Sequence, residues 1–132
     1  MKTLCCIAVT ALASITTLAA AEDFDGSKPF VCMPAQGHDC LPDQKECKAL
    51  EPRLEKVTDF KFDVAKKQVW SPYRNAELPI QHVTKNTASL VLQGTTLEVA
   101  WSGTVHRKTG RMTIVIADRE GAYVVFGQCK AE

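Results

Sequence analysis

The sequence predicts an all-β domain, a small antiparallel barrel or sandwich of about seven to eight strands held by disulfides. Three observations predict it. Beyond residue 57, apolar residues recur at every second position, as Phe60, Phe62 and Val64 do against Asp59, Lys61 and Asp63. That is the period of a half-buried strand. Turn-forming residues interrupt these runs roughly every 8–12 positions, the spacing of a meander. Finally, four cysteines remain once an amino-terminal leader is set aside, the even count of a cross-linked exported domain.

The leader is residues 1–21. Lys2 is its one charge, an apolar stretch from Leu4 follows, and Ala19, Ala20 and Ala21 precede Glu22 and Asp23. A positive start, an apolar middle and an A-x-A end make a cleavable signal peptide. A membrane anchor needs about 20 strongly apolar residues, and this stretch is diluted by Thr3, Thr10, Ser14, Thr16 and Thr17. The expectation is therefore export to the periplasm or medium, with no stable membrane insertion after cleavage. One domain remains, residues 22–132.

Cys5 and Cys6 leave with the leader, and Cys32, Cys40, Cys47 and Cys129 stay. Four cysteines allow three pairings. The favoured one joins Cys40 to Cys47 across a short loop and Cys32 to Cys129, first strand to last. Lys2 leaves too, so the remaining Lys and Arg balance the Asp and Glu. Nucleic-acid binding calls for a concentrated basic face, and none is expected.

Element by element, residues 22–29 read as a loose polar leader and Phe30-Val31-Cys32 as a first strand. Residues 33–52, rich in Pro, Gly, Gln and Asp, read as a cysteine-bearing loop, with room for a helical turn at 43–50 capped by Asp43 and limited by Pro52. Phe60 to Val64 and Gln68 to Trp70 form a hairpin around Ala65-Lys66-Lys67, with Trp70 expected in the core. Residues 71–79 form a second loop. Residues 80–84 and 87–92 are strands about Lys85-Asn86. Gln93-Gly94 turns the chain into 95–101, where Leu97, Val99 and Trp101 share one face. Gly103 marks a bulge or bend. Lys108-Thr109-Gly110 is a tight turn in which Gly110 is free to take positive φ. Residues 112–117 and 122–126 are the last strands, joined by Asp118-Arg119-Glu120-Gly121.

For chemistry, the run C-x5-H-x-C-x6-C from Cys32 through His38 to Cys47 has zinc-ligand residue types without the usual C-x-x-C spacing, and disulfides take precedence. His38, His82 and His106 lie in no nucleophile elbow, zinc-protease or phosphate-loop motif. Catalysis is not the leading expectation, and no cofactor is implied. Arg107, Lys108 and Arg111 put cations on one hairpin, a solvated turn or a grip for an acidic partner. Tyr73 and Arg74 sit on a Pro-containing loop, residue types enriched at binding hot spots.

Phe60-Lys61-Phe62-Asp63, the Lys66-Lys67 turn and Gly103-Thr104-Val105-His106-Arg107-Lys108-Thr109-Gly110 resemble a group of uncharacterised small exported bacterial β-proteins. Their pattern is an F-x-F/V-D strand, a basic turn and a G-x-(I/V)-x-R-x-T-G hairpin. This chain has His106 where the group usually has Asp. The resemblance implies bacterial export and an all-β fold, and it carries no activity. The ends, Phe30-Val31-Cys32 and Phe126-Gly127-Gln128-Cys129, are similar in outline to periplasmic lysozyme inhibitors, which implies architecture alone.

The expected function is a non-catalytic, inhibitor-like binding module of the cell envelope. It would take a protein or small ligand through Arg107, Lys108, Arg111, Tyr73 and Arg74. The alternatives are a small hydrolytic enzyme using His82 or His106, and a structural envelope component. An open interior would favour ligand carriage, and a filled one recognition by the outer loops.

Overall fold

The computed structural model describes residues 23–52 and 59–132; the expected signal peptide lies outside them. Among the described residues, ten antiparallel strands form one curled sheet: β1 (Phe30–Cys40), β2 (Lys48–Leu50), β3 (Phe60–Asp63), β4 (Gln68–Ser71), β5 (Ala76–Pro79), β6 (His82–Lys85), β7 (Ser89–Thr95), β8 (Ala100–His106), β9 (Arg111–Ala117) and β10 (Ala122–Ala131). Their order is β5-β4-β3-β1-β10-β9-β8-β7-β6, with β2 also paired to β1. The two outermost strands are consecutive in the chain. Ile80 and Gln81, which join them, donate backbone hydrogen bonds to Lys67 O and Gln93 O, each at 2.8 Å. One bent segment therefore serves both edges of the curl.

Alternation sends one face of most strands inward, β6 excepted. Phe60, Phe62, Val69, Leu78, Leu90, Leu92, Trp101, Val105, Met112, Ile114, Ile116 and Val125 form a continuous apolar core. Phe62 stacks on Phe30 with ring centroids 5.0 Å apart, and Phe24 meets Phe30 edge-on at 5.8 Å. The gap lined by Phe60, Leu78, Trp101 and Ile114 is about 10 Å³, roughly room for a single water. The interior is filled.

Both expected disulfides are present. Cys32 and Cys129 face each other in the β1–β10 register and close 97 residues of sequence; Cys40 and Cys47 close 7. Such bonds persist in oxidising, non-cytoplasmic compartments.

Several local expectations change. Residues 23–29 are not loose. Phe24 is 5% exposed, its N–H bonds Arg107 O at 2.9 Å, and the segment straps one end of the curl. Most of the expected loop at 33–52 is strand: β1 extends to Cys40, absorbing Pro34 at a register shift between Pro34 and Gln36, and β2 takes the place of the helical turn. Within 71–79, β5 forms because Leu78 can be buried between exposed Glu77 and Pro79. Trp70 is on the outer face, since Val69 and Ser71 on either side of it point in. Gly103 stays in regular pairing, without a bulge, opposite Leu92 and Ile114. Gly110 does take positive φ, at 68°.

The largest change is at Gly94. It does not turn the chain. β7 runs through it to Thr95, with Gly94 paired to Trp101. A Cβ on Gly94 would lie 2.1 Å from Pro79 O and 2.6 Å from Trp101 Nε1, so glycine is needed for close approach. The turn falls three residues later.

Candidate functional site

That displaced turn, residues 96–99, builds one end of the molecule together with residues 72–75, residues 118–121 and the Cys40–Cys47 loop. Thr96 N donates to Val99 O at 2.8 Å. The Thr96 hydroxyl oxygen accepts from Glu98 N and Val99 N, both at 3.3 Å. Three hydrogen bonds close the turn and leave its second residue outside. Leu97 is fully exposed, at 106%, whereas Val99 is buried at 4%.

Its neighbours are held as firmly. In the β4–β5 turn, Asn75 takes φ of 50°, a left-handed conformation that Asn tolerates better than most residues. Tyr73 lies against Phe60 with centroids 5.8 Å apart, anchoring the loop to the core. Arg74 at its tip bonds the Glu98 carboxylate and so ties this turn to that of Leu97. The β9–β10 turn is closed by Asp118, whose Oδ1 accepts from Glu120 N at 2.8 Å and Gly121 N at 3.0 Å. A Cβ on Gly121 would meet Cys40 O at 2.4 Å, so this turn packs directly on the start of the disulfide loop.

Arg74, Leu97, Glu98, Asp118, Arg119 and Glu120 enclose a cleft of about 340 Å³. Tyr123 reports its electrostatics. The Asp39 carboxylate, then burial, then Asp118 and Glu120 push its hydroxyl above the ordinary value, with Arg74 opposing. The end presents an apolar knob in a rim of both charge signs.

The residues singled out in the sequence do not form one site. Arg107, Lys108 and Arg111 lie on the β8–β9 hairpin, at the opposite end of the strands from Tyr73 and Arg74. Arg107 is engaged in structure. Its Nε and Nη2 bond the two Asp23 carboxylate oxygens at 2.9 and 2.5 Å, and Nη1 bonds Asn86 O at 2.9 Å. Lys108 and Arg111 are exposed. Tyr73 is a loop anchor, and Arg74 alone of the five lines the Leu97 cleft.

Among the histidines, His106 Nδ1 accepts the Thr109 N–H at 3.2 Å, bracing the hairpin turn. His82 and His38 are exposed on β6 and β1. Among the described residues no histidine pairs with a carboxylate, and no three His, Cys, Asp or Glu side chains gather as metal ligands. Leu97 was missed because alternation with Val99 and Trp101 placed it inside, and the sequence offers no local signal to the contrary.

The strap end carries a pH dependence. Hydrogen bonds from Ser27, then the Lys85 ammonium at 3.1 Å, hold the Asp25 carboxyl far below its ordinary 3.8. A depressed folded pKa stabilises the fold above the ordinary value, and that contribution is lost as pH falls through the folded one. Acid unfolding of Asp25→Asn is therefore expected to show a shallower fall in stability below about pH 4 than the wild type. Urea midpoints measured from neutral pH downward check this, and parallel curves for the two proteins would contradict it.

Compared with known proteins, the chain matches no family model, no curated protein and no solved structure.

Proposed function

We propose that this protein is an exported, non-catalytic binding module of the periplasm or medium that docks on a protein partner through its Leu97 end. The observation that carries this reading is Leu97 itself, a wholly exposed leucine on a turn closed by three hydrogen bonds. Burying a leucine side chain is worth about 1.5–3 kcal/mol, a contribution that folding leaves unused here and association can recover. A braced turn loses little conformational freedom on binding. The filled interior supports recognition by outer loops over carriage of a ligand inside. Two disulfides and the leader-like amino terminus support export.

Leu97→Asp tests the reading. Leu97 buries nothing in the free protein, so unfolding stability is expected to change by less than about 0.5 kcal/mol. Crosslinked capture of envelope proteins is expected to fall at least tenfold. Lys108→Ala/Arg111→Ala serves as the paired control at the other end. If that variant abolishes capture while Leu97→Asp leaves it intact, the binding end is the basic hairpin and this assignment is wrong.

A further inference from the structure

On the outer face of β3–β4–β5 lies a groove of about 540 Å³, away from the Leu97 end. The register sets it out in two rows, Lys61–Trp70–Glu77 and Asp63–Gln68–Pro79. Trp70 is half-buried at its centre, outside a core that is already filled without it. Its indole lines the groove and keeps part of its surface open to solvent.

The charges around it oppose one another. Lys66 Nζ lies 2.9 Å from Asp63 Oδ2, and its backbone N–H donates to Asp63 Oδ1 at 3.0 Å. Lys61 and Glu77 are the cross-strand neighbours of Trp70, and Glu132 with Pro29 forms a further wall. Two ammonium groups and three carboxylates thus line the same groove. A ligand of either charge is attracted by some of these groups and repelled by others. A neutral polyol uses both, because its hydroxyls donate to carboxylates and accept from ammonium groups. A pyranose adds a face of C–H groups that fits flat on an indole, and the volume is that of an ordinary small-ligand cleft, about 300–1,000 Å³.

We infer that the outer face of β3–β4–β5 is a saccharide-binding platform, with Trp70 as its floor and Lys61, Asp63, Gln68 and Glu77 as hydroxyl partners. It is separate from the Leu97 end, so either assignment can fail without the other.

The test is an NMR titration of the intact domain, following the Trp70 indole N–H, with maltotriose and triacetylchitotriose as probes. At least one saccharide is expected to shift this signal saturably, with the buried Trp101 signal unmoved. Trp70→Ala is expected to weaken binding at least tenfold while the remaining spectrum stays that of the folded protein. Glu77→Gln, which keeps the side-chain shape, is expected to weaken it severalfold. The inference is overturned if neither saccharide moves the Trp70 signal, if binding persists in Trp70→Ala, or if choline or an acidic peptide shifts that signal and the sugars do not.

Discussion

Replacing Cys32 and Cys129 together with alanine is expected to lower the unfolding free energy by about 4–5 kcal/mol, the largest effect of any change of a single contact here. The bond joins residues 97 apart in sequence. In the chain-entropy account a longer closed loop restricts the unfolded chain more. Its partners are directly opposite in the β1–β10 register, and both are buried, at 0% and 5% exposure. Against a total stability of about 5–15 kcal/mol for a domain of this kind, such a loss decides whether the fold persists. The second bond closes only 7 residues, and removing Cys40 and Cys47 is expected to cost about 2 kcal/mol. Urea unfolding of the two double variants gives the comparison. Equal losses would show that loop length is not what sets the contribution of these bonds.

Phe62→Ala is expected to cost about 3–5 kcal/mol. Phe62 is 2% exposed and touches two aromatic neighbours, stacking on Phe30 at 5.0 Å and lying 6.3 Å from Phe60. It is also the β3 partner of Phe30 in the three-residue ladder that joins β3 to β1. Truncation would open a cavity where the sheet is narrowly connected, and a packed interior collapses only partly around such a loss. Trp70, a larger side chain one strand away, faces outward, and its replacement by alanine is expected to cost less than half as much. Unfolding curves for the two variants check the facing of β3 and β4. A Trp70→Ala loss equal to that of Phe62→Ala would place Trp70 in the core.

Much of the fold was legible because its signals are local. The two-residue alternation of Phe60 to Val64 and of Met112 to Ile116 sets which side chains face inward, whatever the neighbouring strands do. The cysteine pairing followed from one short separation and one long one. Gly110 was recognisable in its turn because a tight reversal after Lys108-Thr109 calls for positive φ. Other residues take roles that depend on something distant in the chain, which local signals do not carry. Phe24 sits in a polar stretch, yet it plugs one end because Arg107, 84 positions beyond Asp23, grips that carboxylate. Arg107 looked like a free cation for the same reason.

The exposed leucine belongs to this second kind. Gly94 is a turn residue by every local criterion, and a turn there puts Leu97 on the inner face with Val99 and Trp101. The folded chain needs glycine at 94 because the Trp101 indole and the Pro79 carbonyl, brought together by the bent β5–β6 segment, leave no space for a Cβ. β7 therefore continues to Thr95, the reversal moves to residues 96–99, and Leu97 emerges at its tip. By itself the sequence determined an all-β, doubly cross-linked domain, because strand period and cysteine spacing act over a few residues. Which end carries an apolar knob, and which face presents Trp70, was decided only when the sheet curled. Steric exclusion between distant strands acts only in the closed fold.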